Sequence, residues 1–285
     1  MSQIFPASEL ILNKNNTVYH LHLHPDELAK TIITVGDPAR VKSVSKYFDK
    51  IEVKRANREF VTHTGTIGKK RITVISTGIG TDNIDIVLNE LDALANIDLK
   101  TRTIKKKLTS LDIVRIGTSG GLQKELGVDS VVASQAAIGL DSMAHFYKHR
   151  YSTIEKKNQK RFEKEFGLQN YVAQGSDDLY KKFSKFAVGG TTVTCSGFYA
   201  PQGRKLRYDL KFPTWVDDLP NFKTSKIPSI TNFEMETSGI YFLGNLLGHN
   251  CMSLSLIVAN RITKQFSSKY PTMMDKLIKD TLESL

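Results

Sequence analysis

The sequence predicts an α/β chain: a single domain over residues 1–285 with a mixed central β-sheet flanked by helices. Short β-branched runs that close on glycine alternate with stretches of helical apolar spacing, and such strand–turn–helix order implies a mostly parallel or mixed sheet covered by helices. Strand-like runs are spread from Thr31 to Val258 with no Pro/Gly/Ser linker between them, which favours one domain over two.

Thr31-Ile32-Ile33-Thr34-Val35 is short, β-branched and closed by Gly36, as a buried strand should be. After Pro38, Val41, Val44 and Phe48 keep helical spacing. Arg71–Ile75 is a second strand, ending in the turn Ser76-Thr77-Gly78-Ile79-Gly80. From Asn83 onward Ile84, Val87, Leu88, Leu91 and Leu94 fall on one helix face. Leu111–Ile116 reads as a third strand, followed by a turn at Gly117-Thr118-Ser119-Gly120-Gly121. Further strands are expected over Val128–Ala133, Val188–Cys195 and Leu254–Val258. Helices are expected over Glu155–Phe166, Asp177–Phe186, Glu234–Leu247 and Pro271–Leu285.

Composition narrows the function classes. With 40% hydrophobic and 24% charged residues the chain is neither disordered nor a coiled coil. No run approaches the roughly 18 consecutive apolar residues of a membrane span. Met1–Pro6 lacks a basic region leading into an apolar stretch, so no secretory leader is expected. Cys195 and Cys251 form neither a disulfide framework nor a metal-ligand spacing, and a reducing cytoplasm is the expected compartment. The 40 Lys+Arg against 29 Asp+Glu leave +11, which asks for an anionic partner: nucleic acid, a membrane surface or a phosphorylated small molecule. The basic stretch Lys100–Lys107 lacks interleaved aromatics and reads as a solvated connector, and the Lys-rich helix near Glu155–Phe166 as a solvated face.

Chemistry concentrates in a few places. The turns after the strands, Gly36-Asp37-Pro38-Ala39-Arg40, Gly78-Ile79-Gly80 and Gly117–Gly121, lie where open α/β sheets bind ligands. Arg40 and Arg115 sit beside such turns and Thr118 adds a hydroxyl, so together they favour an oxyanion site, although none is a Walker A loop or a dinucleotide fingerprint. Phe198, Gln202 and Arg204, within seven positions, could stack on a planar ring and hydrogen-bond its edge, or could form a polar surface loop. Glu234-Met235-Glu236 places carboxylates in a helix's first turn, where the helix dipole alone would favour them; a carboxylate there could instead accept hydrogen bonds from ribose hydroxyls.

Taken in order, Gly36-Asp37-Pro38-Ala39-Arg40, Arg115–Gly121, Phe198-Tyr199 with Gln202-Gly203-Arg204, Glu234-Met235-Glu236 and Asn260-Arg261 resemble the signature segments of the nucleoside phosphorylase-I family, in particular its uridine phosphorylase branch. The resemblance runs from about Val18 to the C-terminal helix. It implies a three-layer α/β/α fold and a pentosyltransferase of pyrimidine salvage: reversible phosphorolysis of uridine to uracil and ribose 1-phosphate, with deoxyuridine and thymidine left open. It implies phosphate binding by Gly36, Arg40, Arg115 and Thr118, and by Arg58 of a neighbouring subunit. Phe198 would stack on uracil while Gln202 and Arg204 meet its polar edge. Glu236 would take the 2′ and 3′ hydroxyls, with Met235 under the sugar. His20 would approach the 5′ hydroxyl across a dimer interface, His22 and His24 being neighbours without a role. Arg115, Gln202, Arg204 and Glu236 are thus the expected catalytic set. The resemblance also implies no metal and no organic cofactor (phosphate is a co-substrate), a homodimer as minimal unit with a hexamer left open, and no nucleic-acid or membrane partner.

Purine-cleaving relatives carry an aspartate where this chain has Arg261, which cannot donate a proton at neutral pH. The alternatives are a purine nucleoside phosphorylase or nucleosidase of the same fold, or a non-enzymatic nucleoside- or nucleic-acid-binding protein. Departures from the pattern are Asp82, expected near the phosphate turn, and Gly197–Pro201 in place of T-F-Y-x-G. For Lys100–Lys107 and Asp209–Lys226 the resemblance gives no guidance.

Overall fold

Thr31–Val35 forms strand β1, buried from Ile32 onward. At its end Asp37 turns the chain into helix α1 (Pro38–Ser45): the Asp37 carboxylate accepts the Ala39 amide at 2.8 Å, and Pro38 has no N–H to leave unsatisfied. The computed structural model describes residues 4–285. Met1, Ser2 and Gln3, which carry part of the reading of the N-terminus, lie outside the described residues. Internal contacts divide the chain into two units: residues up to Val114 with Leu243–Asn250, and Arg115–Phe242 with Cys251–Leu285.

In the first unit, β2 (Lys50–Asn57) and β3 (Phe60–Ile67) form an antiparallel hairpin with Asn57 opposite Phe60. Strand β4 (Lys70–Ser76) runs antiparallel to β3 and parallel to β1, giving the order β1-β4-β3-β2. Helix α1 packs on β3 and β4. Helix α2 (Thr81–Asn96) buries Ile84, Val87, Leu88, Leu91 and Leu94, the stripe that its spacing predicted. The short strands β5 (Ile97–Asp98) and β6 (Thr103–Ile104) pair behind it. Here the solvated reading of Lys100–Lys107 needs correction in part. Lys105 Nζ donates to the carbonyls of Leu94 and Ala95 at 3.3 and 2.8 Å, capping the negative end of α2. Arg102 Nε binds the Phe5 carbonyl at 2.8 Å. Lys106 and Lys107 are exposed, as expected.

The second unit takes up the chain within β7 (Asp112–Gly121) and continues through β8 (Val131–Gly139), α3 (Thr153–Phe166), β9 (Tyr171–Gln174), α4 (Asp177–Phe183) and β10 (Val188–Thr194). After α5 (Trp215–Asp218) come β11 (Ile230–Glu234), α6 (Thr237–Leu247), β12 (Asn250–Asn260), β13 (Gln265–Phe266) and α7 (Tyr270–Ser284). The order β13-β12-β8-β10-β11-β7, with β9 beside β8, is mixed. β10 is parallel to β8 and β11, while β7, β9, β12 and β13 enter antiparallel. The chain is therefore α/β with mixed pairing, as the element order implied.

Two site segments differ from expectation. Gly117–Gly121 is not a turn but the second half of β7, with Gly120 and Gly121 opposite Phe233 and Asn232. The glycines are there because neighbours fill the space above them: a Cβ on Gly117 would stand 1.9 Å from Arg115 Nη1, and one on Gly120 2.9 Å from the Phe233 ring. Glu234 ends β11 instead of beginning a helix; α6 starts at Thr237.

Candidate active site

Arg115 stands on β7, buried, facing the carboxylates at the junction of β11 and α6. Its Nη2 pairs with Glu236 Oε2 and lies 3.3 Å from Glu234 Oε2, and its Nη1 reaches Ser255 Oγ at 3.4 Å. Burial works to lower the Arg115 pKa, but Glu236 and then Glu234 outweigh it and hold the guanidinium above its ordinary value. The two carboxylates do different work. Glu234 accepts from Thr194 Oγ1 at 2.7 Å and from the amides of Glu236 and Thr237, so it caps α6 from the end of β11, not from the helix's first turn where the helix-dipole reading put it. Glu236, equally buried, is joined to Arg115. Met235 is half-buried between them. Thr118, three residues along β7 from Arg115, is partly exposed.

Beyond β10 the chain makes a tight turn at Ala200–Gln202. Gln202 is 3% exposed although Phe198 and Tyr199 are each about half exposed. Arg204 lies over the Phe198 ring, 3.7 Å from its centroid, and its Nη1 donates to the Phe198 carbonyl at 2.6 Å and to Gln202 Oε1 at 2.8 Å. The structure thus joins Phe198, Gln202 and Arg204 into one cluster. The face of Phe198 under the guanidinium is already occupied, which the spacing gave no sign of. Arg261 Nη1 and Nη2 donate to the carbonyls of Gln202 and Gly203 at 2.8 and 3.2 Å. Partial burial, and then the nearby Arg261, push the Arg204 pKa down to about 10, leaving it cationic at neutral pH. The buried thiol of Cys195, one residue past β10, is pushed up by burial and by Glu234, with Arg204 opposing.

In the first unit, the Gly36 and Gly78–Gly80 turns sit side by side at the carboxyl ends of β1 and β4: the Thr77 amide donates to the Val35 carbonyl at 2.8 Å, and a Cβ on Gly36 would stand 3.3 Å from the Gly78 carbonyl oxygen. Arg40, in the first turn of α1, is partly exposed. Asp82 is exposed in the first turn of α2, its carboxylate folded back over Gly80, where a Cβ would meet it at 2.6 Å. Arg58 occupies the exposed tip of the β2–β3 hairpin with φ +52°. His20 is fixed by Glu90: Nδ1 lies 2.7 Å from Oε1, and the amides of His20 and Leu21 donate to the same carboxylate.

The buried Arg115–Glu236 pair and the Phe198–Gln202–Arg204 cluster both belong to the second unit. Comparison makes the class definite: the chain belongs to the phosphorylase superfamily, whose family model matches residues 30–280. It is similar to the uridine phosphorylase of Thermococcus kodakarensis, 26% identical over 271 residues, covering 93% of this chain and 86% of that one. A DeoD-type purine nucleoside phosphorylase from Clostridium novyi is 25% identical over 267 residues, covering 93% and 97%. Among solved structures, a Trypanosoma brucei nucleoside phosphorylase described as showing uridine phosphorylase activity aligns with a TM-score of 0.89 at 30% identity, covering 97% of this chain and 99% of that one.

Proposed function

We propose that this protein is a uridine phosphorylase. The observation that carries the reading is the cluster in which a buried Gln202 amide is hydrogen-bonded to the Arg204 guanidinium, in the same unit as the Arg115–Glu236 pair. Uracil offers adjacent C=O and N–H groups, and an amide beside a guanidinium matches that edge. Phosphate oxygen attacks C1′ as the C1′–N1 bond breaks, the bonding electrons leave with uracil, and the products are ribose 1-phosphate and uracil, which takes its proton from solvent. Gln202 and Arg204 stabilise the charge that grows on the departing base. Glu236 accepts the ribose hydroxyls, with Met235 beneath the sugar, and faces the positive charge developing on the ring. Arg115 and Thr118 bind phosphate. The roles of Gly36, Arg40 and Arg58 toward phosphate and of His20 toward the 5′ hydroxyl come from the family resemblance, with Arg58 and His20 serving a neighbouring copy. A homodimer is therefore proposed as the minimal unit. The chemistry requires no metal or organic cofactor.

The purine reading is favoured by DeoD-type relatives of similar coverage. Against it stands Arg261, whose guanidinium is engaged by the carbonyls of Gln202 and Gly203 and cannot protonate a purine. Among the described residues no helix is long and apolar enough to cross a membrane; cytoplasmic residence is proposed with the activity. The deciding experiment follows ultraviolet absorbance with uridine and with inosine, each with and without phosphate. Phosphate-dependent loss of uridine is expected. Cleavage of inosine alone would establish the purine reading, and cleavage without phosphate would make the protein a hydrolase.

A further inference from the structure

Within Asp209–Lys226, where family resemblance is uninformative, the structure holds a residue that the proposed reaction has not used. Trp215 is the chain's one tryptophan and opens α5, 4% exposed. Phe162 and Phe166 meet its ring edge-on at 6.2 and 5.2 Å, and Phe212 lies tilted against it at 5.9 Å. A buried indole N–H needs an acceptor. It finds the Pro201 carbonyl at 3.0 Å, in the middle of the Ala200–Gln202 turn.

The next two carbonyls, those of Gln202 and Gly203, are taken by Arg261. Three successive carbonyls of the base-reading turn are therefore each held by a side chain from outside it. Gly203 has φ +65°, and a Cβ there would stand 2.5 Å from Val216 Cγ2 and 3.6 Å from Trp215 Cδ1, so α5 packs directly against the turn. Inside the turn, the amides of Gln202 and Arg204 both return to the Tyr199 carbonyl at 3.1 and 2.8 Å. This bracing explains how a segment flanked by half-exposed aromatic rings keeps the Gln202 amide buried.

We propose that Trp215 is a positioning residue for base recognition: its indole N–H, acting with Arg261, fixes the backbone of Ala200–Gly203 so that Gln202 and Arg204 meet a pyrimidine ring in one geometry. The proposal rests on the uracil reading above. Recognition by a preorganised amide loses strength when its supporting shell loosens, even where the amide itself is intact. Trp215→Phe keeps an aromatic ring among the phenylalanines and removes the donor to Pro201.

The test combines two readouts on the full chain. Uracil is titrated into the wild type while Trp215 emission and calorimetric heat are followed, and KM for uridine and for phosphate are measured in the wild type and in Trp215→Phe, with circular dichroism and thermal melting of both. A saturable emission change with uracil and none with phosphate alone is expected. Trp215→Phe should raise the uridine KM about tenfold, as loss of a buried hydrogen bond does, and leave the phosphate KM within about twofold. A purely structural role would not split the two constants. A folded Trp215→Phe with an unchanged uridine KM overturns the proposal, as does wild-type emission that ignores uracil while calorimetry registers its binding. If Trp215→Phe does not fold, the emission arm decides alone. A wild type that neither binds uracil nor splits uridine removes the base reading itself, and this proposal with it, an outcome distinct from the other two.

Discussion

Replacing Arg115 by methionine tests whether the buried charges are mutually dependent. Arg115, Glu234 and Glu236 are 6%, 4% and 5% exposed, so none can turn to water when a partner is removed. Glu234 keeps Thr194 Oγ1 at 2.7 Å and the amides of Glu236 and Thr237 at 3.0 Å, and it remains a satisfied cap. Glu236 is the group that loses its guanidinium. Removing one partner of a buried ion pair costs about 3–5 kcal/mol, and because Glu234 stays satisfied the lower figure, about 3 kcal/mol, is expected here. Arg115→Met/Glu236→Gln removes both charges, and most of that loss should return, to within about 1 kcal/mol of the wild type. Urea unfolding followed by circular dichroism reads both variants, with midpoint and slope compared. Phosphorolysis should be lost in both, because restoring the electrostatic balance does not restore the proposed phosphate and ribose ligands. An Arg115→Met protein within about 1 kcal/mol of the wild type, or a double variant no more stable than the single, would refute this account of the cluster.

His63, buried on β3 with its Nδ1 2.7 Å from Ser45 Oγ, has its pKa lowered by burial, then by Lys54 and Lys42. The folded state therefore holds it neutral where the unfolded chain takes up a proton. Its stability contribution is full above the unfolded value of about 6.5 and declines as pH falls from there through the folded value. The urea midpoint should drop between about pH 7.5 and about pH 5.5, and less so in His63→Gln; equal drops in both proteins would remove His63 as the source. Gly203→Ala should cost about 2 kcal/mol, from a left-handed backbone and a 2.5 Å approach to Val216 Cγ2, and should raise the uridine KM by disturbing the turn. Normal melting and an unchanged KM would show that the turn tolerates a side chain.

The regular elements were legible wherever burial is one-sided or complete. β1 matches its predicted bounds because both faces are buried and every position but the threonines must be aliphatic; α2 shows its stripe because one face meets the core. Several of the misses turn on atoms the local pattern does not show. Gly117–Gly121 carries turn-forming residues, yet it is a strand because Arg115, Phe233 and Ile257 fill the volume its side chains would need. Strand β2 is missing from the expected strands because it has only one neighbour and its residues are at most partly buried, so it carries no apolar run. Within the candidate site, the grouping of Phe198, Gln202 and Arg204 was legible and the partnerships were not. No spacing rule joins Arg204 to the face of Phe198, Lys105 to the end of α2, or Trp215 to Pro201.

The charges in the second unit are sorted by sign in a way that suits a bond breaking into ions. Arg115 meets two buried carboxylates, leaving that cluster with one net negative charge. Burial lowers the pKa of Arg204 and of Arg261, and Arg261 lowers that of Arg204 further; among the described residues neither forms an ion pair, and their donors go to backbone carbonyls and to Gln202. Carbonyls satisfy a guanidinium's hydrogen bonds without cancelling its charge. The Cys195 thiol reports both poles, with Glu234 raising its pKa and Arg204 opposing. On the uridine reading, the carboxylate pole faces the sugar as it becomes cationic and the arginine pole faces uracil as it becomes anionic. Such fixed charges do not need to reorganise as the reaction proceeds, which is what makes them effective in a transition state. The same reasoning shrinks the meaning of the +11 total. On the uridine reading the charge that matters is that of the few placed arginines, while Lys105 is bound to the end of a helix and Lys106 and Lys107 are exposed.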